Sequence, residues 1–131
     1  MEGRAAIVCR WMLAAFALTR LWLWFRPNAD FNVGAYNIHH LFTGVLIVCA
    51  AGIAATASGL GTRARDGCAA LFGVGLALTL DEWVYLIVTD GTNASYWTTP
   101  SVAGGCAAVG LAAACLALIS SRTPWRPPSR P

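Results

Sequence analysis

Four apolar stretches, separated by three short polar links, run along this chain at about residues 5–25, 34–58, 67–89 and 101–120. Each is close to the roughly 20 residues that an α-helix needs to cross a hydrocarbon core about 30 Å thick. In lipid the backbone must satisfy its own hydrogen bonds, so each stretch is predicted to be a helix. Pro27, Asn28 and Asp30 break the first link, and Gly59 and Gly61 open the second. The third link is rich in turn formers and ends at Pro100, which leaves Ser101 to start the last helix. Short links make consecutive helices antiparallel neighbours. The expected fold is therefore all-α, an up-down-up-down four-helix transmembrane bundle over residues 1–121. A Pro- and Arg-rich tail follows over residues 122–131, expected to be extended.

Composition agrees with lipid as the solvent. Apolar residues make up 57% of the 131 and charged residues only 11%, against about 25% charged in soluble domains. All nine basic residues are Arg. Arg4, Arg63, Arg65, Arg122, Arg126 and Arg130 fall on one side of the predicted spans, and Arg26 alone falls on the other. The excess of positive charge in cytoplasmic segments then puts both termini inside. Trp22, Trp24, Tyr96 and Trp97 fall at the opposite boundary, where aromatic rings anchor. The Arg-, Ala- and Gly-rich composition points to a bacterial source, and hence to a multi-pass protein of the bacterial inner (plasma) membrane.

The net charge of +3 is accounted for by these loops and gives no reason to expect nucleic acid as a partner. The expected partners are the lipid bilayer and a second copy of the chain. Small residues at spacing four (Gly73 and Ala77; Gly104, Ala108 and Ala112) allow close helix approach, within one bundle or between copies. The first apolar stretch is interrupted by Arg10 and Arg20 and reads as a retained helix rather than a signal peptide. The five Cys lie inside apolar segments without ligand spacing and read as small buried hydrophobes.

The candidate chemistry lies in the few ionisable residues at membrane depth: Arg10, Arg20, His39, His40, Asp81 and Glu82. Each charge near the bilayer centre costs about 2.5–3.5 kcal/mol on the lenient insertion scale, so such residues pair, face the bundle interior or work. Helical rise puts all but Arg10 in the outer half of the membrane; Arg10 is expected to snorkel towards the cytoplasmic face. Helical periodicity gives Asp81 a stripe with Gly73 and Ala77, Glu82 one with Gly75 and Thr79, and His40 one with Gly44. Tyr85, one turn beyond Asp81, is placed to cover the site, and the loop residues Asp90, Tyr96, Trp97 and Ser101 could form a lid.

Three readings of this set are open. Arg20 pairs with Asp81 or Glu82, and the histidines hydrogen-bond around them to fix helix register. Or His39, His40, Asp81 and Glu82 form a nitrogen/oxygen site for a divalent metal. Or a carboxyl group in apolar surroundings titrates, or the set holds a small ligand, ion or lipid headgroup.

The strings HHLFTG (His39 to Gly44) and GVGLALTLDEWVYL (Gly73 to Leu86), with Tyr96-Trp97 and Ser101 beyond them, resemble a group of uncharacterised small four-helix integral membrane proteins of bacteria and archaea. That group carries HHxxxG and GxGLxLxxDE elements. The resemblance covers roughly residues 36–102. It implies that His39, His40, Asp81 and Glu82 act as a unit, and it implies no reaction. The leading expectation is a small polytopic membrane protein whose polar site near the outer leaflet binds a small ligand, ion or lipid group, or serves a structural role. A metal-dependent membrane enzyme using the His and Asp/Glu residues, and a phage-type lysis accessory or holin-like protein, are the alternatives.

Overall fold

The computed structural model describes residues 3–29, 32–34 and 36–122. The described residues form four α-helices: α1 (Arg4–Phe25), α2 (His40–Ala55), α3 (Thr62–Val88) and α4 (Thr99–Arg122). A two-residue strand pair, β1 (Asn32–Val33) and β2 (Tyr36–Asn37), precedes α2, and a single 3-10 turn (Ser95–Trp97) precedes α4. Residues 123–131 of the expected tail lie outside the described residues.

Three helices, α1, α3 and α4, are long and apolar enough to cross a membrane. Outward-facing residues of the four helices include Trp11, Leu18, Leu46, Ile53, Leu71, Ile87 and Leu111. Large side chains left outside on every helix are what a lipid-facing surface requires, and a water-facing one of this kind would aggregate.

Two boundaries differ from the sequence expectation. The second helix begins at His40 rather than Gly34, because the preceding residues pair as β1 and β2 around Gly34. Gly34 has φ +63°, a backbone state that other residues avoid, and it turns the chain back sharply. With 16 residues α2 is the shortest helix, about 24 Å long at 1.5 Å per residue. In contrast α3 begins early, at Thr62, and carries Arg63, Arg65 and Asp66 in its first two turns. These exposed residues extend the helix past the apolar zone. There Arg65 Nε donates to the Leu60 carbonyl (3.1 Å), and Arg4 lies 3.4 Å from Asp66.

The central element is α3, which packs against each of the other three helices, whereas α2 packs chiefly on α3. Glycines set how closely the helices approach. A Cβ on Gly73 would collide with the Val8 carbonyl of α1, and one on Gly104 with the Val84 side chain. A Cβ on Gly44 of α2 would stand 2.7 Å from the Gly75 carbonyl and 2.6 Å from Thr79 Oγ1. At the Gly73 and Gly44 crossings the backbones touch, as small residues in membrane helices allow. Apolar packing beside them comes from Met12, Ala77 and Val109 in one cluster, and from Ile7, Val8 and Ala69 nearer the first turns of α1 and α3.

Candidate functional site

The two carboxylates are adjacent in sequence and so project about 100° apart on α3. Asp81 continues the Gly73–Ala77 stripe towards α1 and α4, and Glu82 continues the Gly75–Thr79 stripe towards α2. Both are buried, Asp81 with 0% and Glu82 with 4% of its surface exposed. A buried carboxylate is tolerated only with several donors, and each of these two has its own set.

Asp81 draws on three elements. From α1, Arg20 approaches Oδ1 with Nε at 2.7 Å and Nη2 at 2.6 Å. From the 3-10 turn, the Tyr96 hydroxyl donates to Oδ2. From α2, His40 Nε2 lies 3.1 Å from Oδ2. Gly105 of α4 makes room for the pair: a Cβ there would stand 3.0 Å from Arg20 Nη2 and 3.1 Å from Asp81 Oδ1. Nη2 is within contact of the carboxylate but poorly aimed for a hydrogen bond, and Nη1 has no hydrogen-bond partner among the described residues. The charge attraction between Nη2 and the carboxylate needs no such alignment. The guanidinium also lies over the Tyr96 ring, 4.3 Å from its centroid, with Phe16 and Trp97 at 5.6 and 5.5 Å. Ring faces are negative, so they stabilise the cation where oxygen acceptors for its N–H groups are missing.

Glu82 does different work. Its Oε2 accepts from the Leu41 backbone N–H at 2.8 Å, and its Oε1 faces His39 Nδ1 at 3.1 Å. Oε1 also lies 3.3 Å from His40 Nδ1. The first N–H groups of a helix have no partner within it, and the helix dipole adds partial positive charge there. His39, the residue before α2, provides no side-chain cap. Glu82 therefore caps α2 from a neighbouring helix.

His40 has one ring nitrogen on each carboxylate and so bridges them. Tyr85 is fully buried; its hydroxyl donates to the Thr92 carbonyl at 3.1 Å, and its ring meets those of His39 and Tyr96 at 5.9 and 5.4 Å.

Over this network lies a cavity of about 110 Å³. Its polar floor is formed by His39, His40 and Glu82, and its aromatic wall by Tyr85, Tyr96 and Trp97. Asn93 of the third link and Pro27 and Ala29 of the first line its rim.

Of the six ionisable residues expected at membrane depth, five, namely Arg20, His39, His40, Asp81 and Glu82, meet in one place, with Tyr85 beside them. Arg20 pairs with Asp81 rather than Glu82. Arg10 lies elsewhere, in a groove with Cys9, Leu13 and Ser120. Among the described residues no three His, Cys, Asp or Glu side chains are grouped so as to hold a metal ion. The four that were metal candidates stand at hydrogen-bond distances from one another instead. Sequence reasoning missed the part played by Tyr96. Read as an interface anchor, it is 5% exposed, bonds Asp81 and stacks on Arg20. Ser101, read as a helix start, is fully buried and donates to the Tyr96 carbonyl at 2.7 Å, which holds that turn against α4. The signal for both was a polar pair five residues apart flanking a proline-initiated helix, too weak to use alone.

A scan against family models and searches of curated proteins and of solved structures find no match to this chain.

Proposed function

We propose that this chain is a multi-pass protein of the bacterial inner membrane whose outer-facing cavity binds a small ammonium-type cation. The observation that carries the reading is a charge deficit beneath the cavity. Two buried carboxylates, Asp81 and Glu82, face one guanidinium, that of Arg20. A cation in the cavity would supply the missing positive charge. Glu82 and the rings of Tyr85, Tyr96 and Trp97 are the two kinds of surface that attract an alkylammonium group. The cavity is small, which limits the ligand to a few heavy atoms.

The up-down-up-down course is supported by contacts at matching heights, Val8 with Gly73 and Arg20 with Asp81 on one pair, and Gly44 with Gly75 and Gly105 with Asp81 on the others. The Arg distribution supports cytoplasmic termini.

The test is thermal unfolding of the purified protein in detergent with methylammonium or ethylammonium chloride, against sodium chloride at equal ionic strength. Ammonium salts raise the melting temperature of the native protein, and the rise disappears in Trp97→Leu and His39→Ala variants that still unfold cooperatively. Equal melting in methylammonium and sodium would overturn the reading.

A further inference from the structure

Far from the cavity, at the opposite ends of the same helices, a second concave surface lies between α1 and α2. Both helices rest on α3, but they share no extensive interface with each other among the described residues. The gap between them is a groove of about 320 Å³. Its walls are Val8 of α1 and Ala51, Gly52 and Ala55 of α2, and its floor includes Phe72 of α3. Small residues on α2 give it width, because a Cβ on Gly52 would meet nothing within 4 Å.

The mouth is cationic. Arg4 and Arg65 both line the groove, and Arg63 stands on the same first turn of α3. The acidic group beside them is Asp66, 3.4 Å from Arg4. Among the described residues, three guanidinium groups against one carboxylate leave a surplus of positive charge where an apolar slot opens. Arg65 anchors its Nε on the Leu60 carbonyl, which fixes the guanidinium at the mouth.

We infer that this groove is a binding site for an anionic phospholipid, with its phosphate between Arg4 and Arg65 and an acyl chain in the slot. The inference depends on the membrane reading above and is independent of the cation cavity. Charge complementarity selects the headgroup: a guanidinium pair bonds phosphate oxygens well, and a zwitterionic headgroup returns much of that attraction through its own cation. The slot selects a lipid over free phosphate, since only a lipid fills both parts.

The experiment is native mass spectrometry of the detergent-solubilised protein, titrated with phosphatidylglycerol or phosphatidylcholine of identical acyl chains. One phosphatidylglycerol molecule is expected to be retained at least tenfold more strongly than phosphatidylcholine. Two basic side chains near a lipid surface account for roughly a thirtyfold difference, so R4Q/R65Q should remove most of the preference. These side chains are exposed, and their loss leaves the core intact. Gly52→Leu fills the slot without touching the charges and should weaken retention of both lipids. Inorganic phosphate at millimolar concentration should not displace the bound lipid. Equal retention of the two lipids, a preference undiminished in R4Q/R65Q, or displacement by phosphate overturns the inference. A chain that stays folded and monodisperse without detergent would instead overturn the membrane reading itself.

Discussion

Replacing Arg20 by Met tests the central pairing directly. The substitution keeps an unbranched apolar stem but removes the guanidinium that holds Asp81 Oδ1 at 2.6 and 2.7 Å. It leaves Asp81 buried with Tyr96 and His40 as its remaining partners. Removing one member of a buried ion pair costs about 3–5 kcal/mol, most of it the penalty of the abandoned charge. The two surviving donors put Arg20→Met at the low end, about 3 kcal/mol. Asp81→Asn abandons the cation instead and should cost a similar amount, eased by the ring faces around Arg20. The double variant removes both charges, so its cost should be close to that of either single change. The coupling from the cycle is then about 2–3 kcal/mol. The assay is reversible unfolding in mixed micelles of increasing denaturing-detergent fraction, followed by helical circular dichroism for all four proteins. Arg20→Lys should still lose about 1–2 kcal/mol, because an ammonium cannot both meet the carboxylate through two nitrogens and lie flat on Tyr96. Costs that simply add, within about 0.5 kcal/mol, would refute the claim that these charges exist for each other.

Other outcomes follow from the same geometry. Gly44→Ala should destabilise by about 1–3 kcal/mol through forced separation of α2 from α3, whereas Gly110→Ala, where a Cβ meets nothing within 4 Å, should be neutral or slightly stabilising in the same unfolding assay. Tyr96→Phe should cost about 1–3 kcal/mol, because it takes a donor from a buried carboxylate. Burial and then the negative charge of Asp81 push the Tyr96 phenol well above its ordinary range. Any stability linked to it is therefore present below the ordinary tyrosine value and is lost only as pH rises through the raised one. Native ultraviolet titration to pH 11 should accordingly be the same in wild type and Tyr96→Phe, and should differ only after unfolding. At Asp90, hydrogen bonding by Ser95 and then by Thr92 lowers the carboxyl below 3.8. The loop should hold its order above that value and lose it as pH falls through the lower folded one, seen as faster amide exchange at Thr92 and Ser95.

The parts of this architecture that rest on bulk properties could be read from the chain. Lipid demands long apolar runs, and Asp81 and Glu82 could not sit in such a run without partners, so their association with Arg20 and the histidines followed from cost alone. The choice of Asp81 over Glu82 for Arg20 was not legible. It turns on Gly105 of α4 leaving space beside Asp81, and on Glu82 facing α2, which are facts of three-dimensional packing. The start of α2 was misplaced for a related reason. Gly34 to Ile38 is apolar enough to continue a helix, and nothing local marks His40 as the first turn. Its cap lies on another helix, and side-chain caps are recognised in sequence only when they are close by. Tyr96 was misjudged because an aromatic residue at a membrane boundary usually anchors, and only Asp81 below it and Ser101 behind it turn it inward.

That capping arrangement bears on how the chain enters the membrane. Helices emerge from the ribosome in order, yet the upper end of α2 is secured by a side chain 41 residues further along, through the Leu41 N–H bond to Glu82. Until α3 has been synthesised and has docked, the first turn of α2 holds bare amide hydrogens that must find water or headgroups. If α2 crosses the bilayer as proposed, it and α3 are therefore expected to insert as a hairpin rather than one after the other.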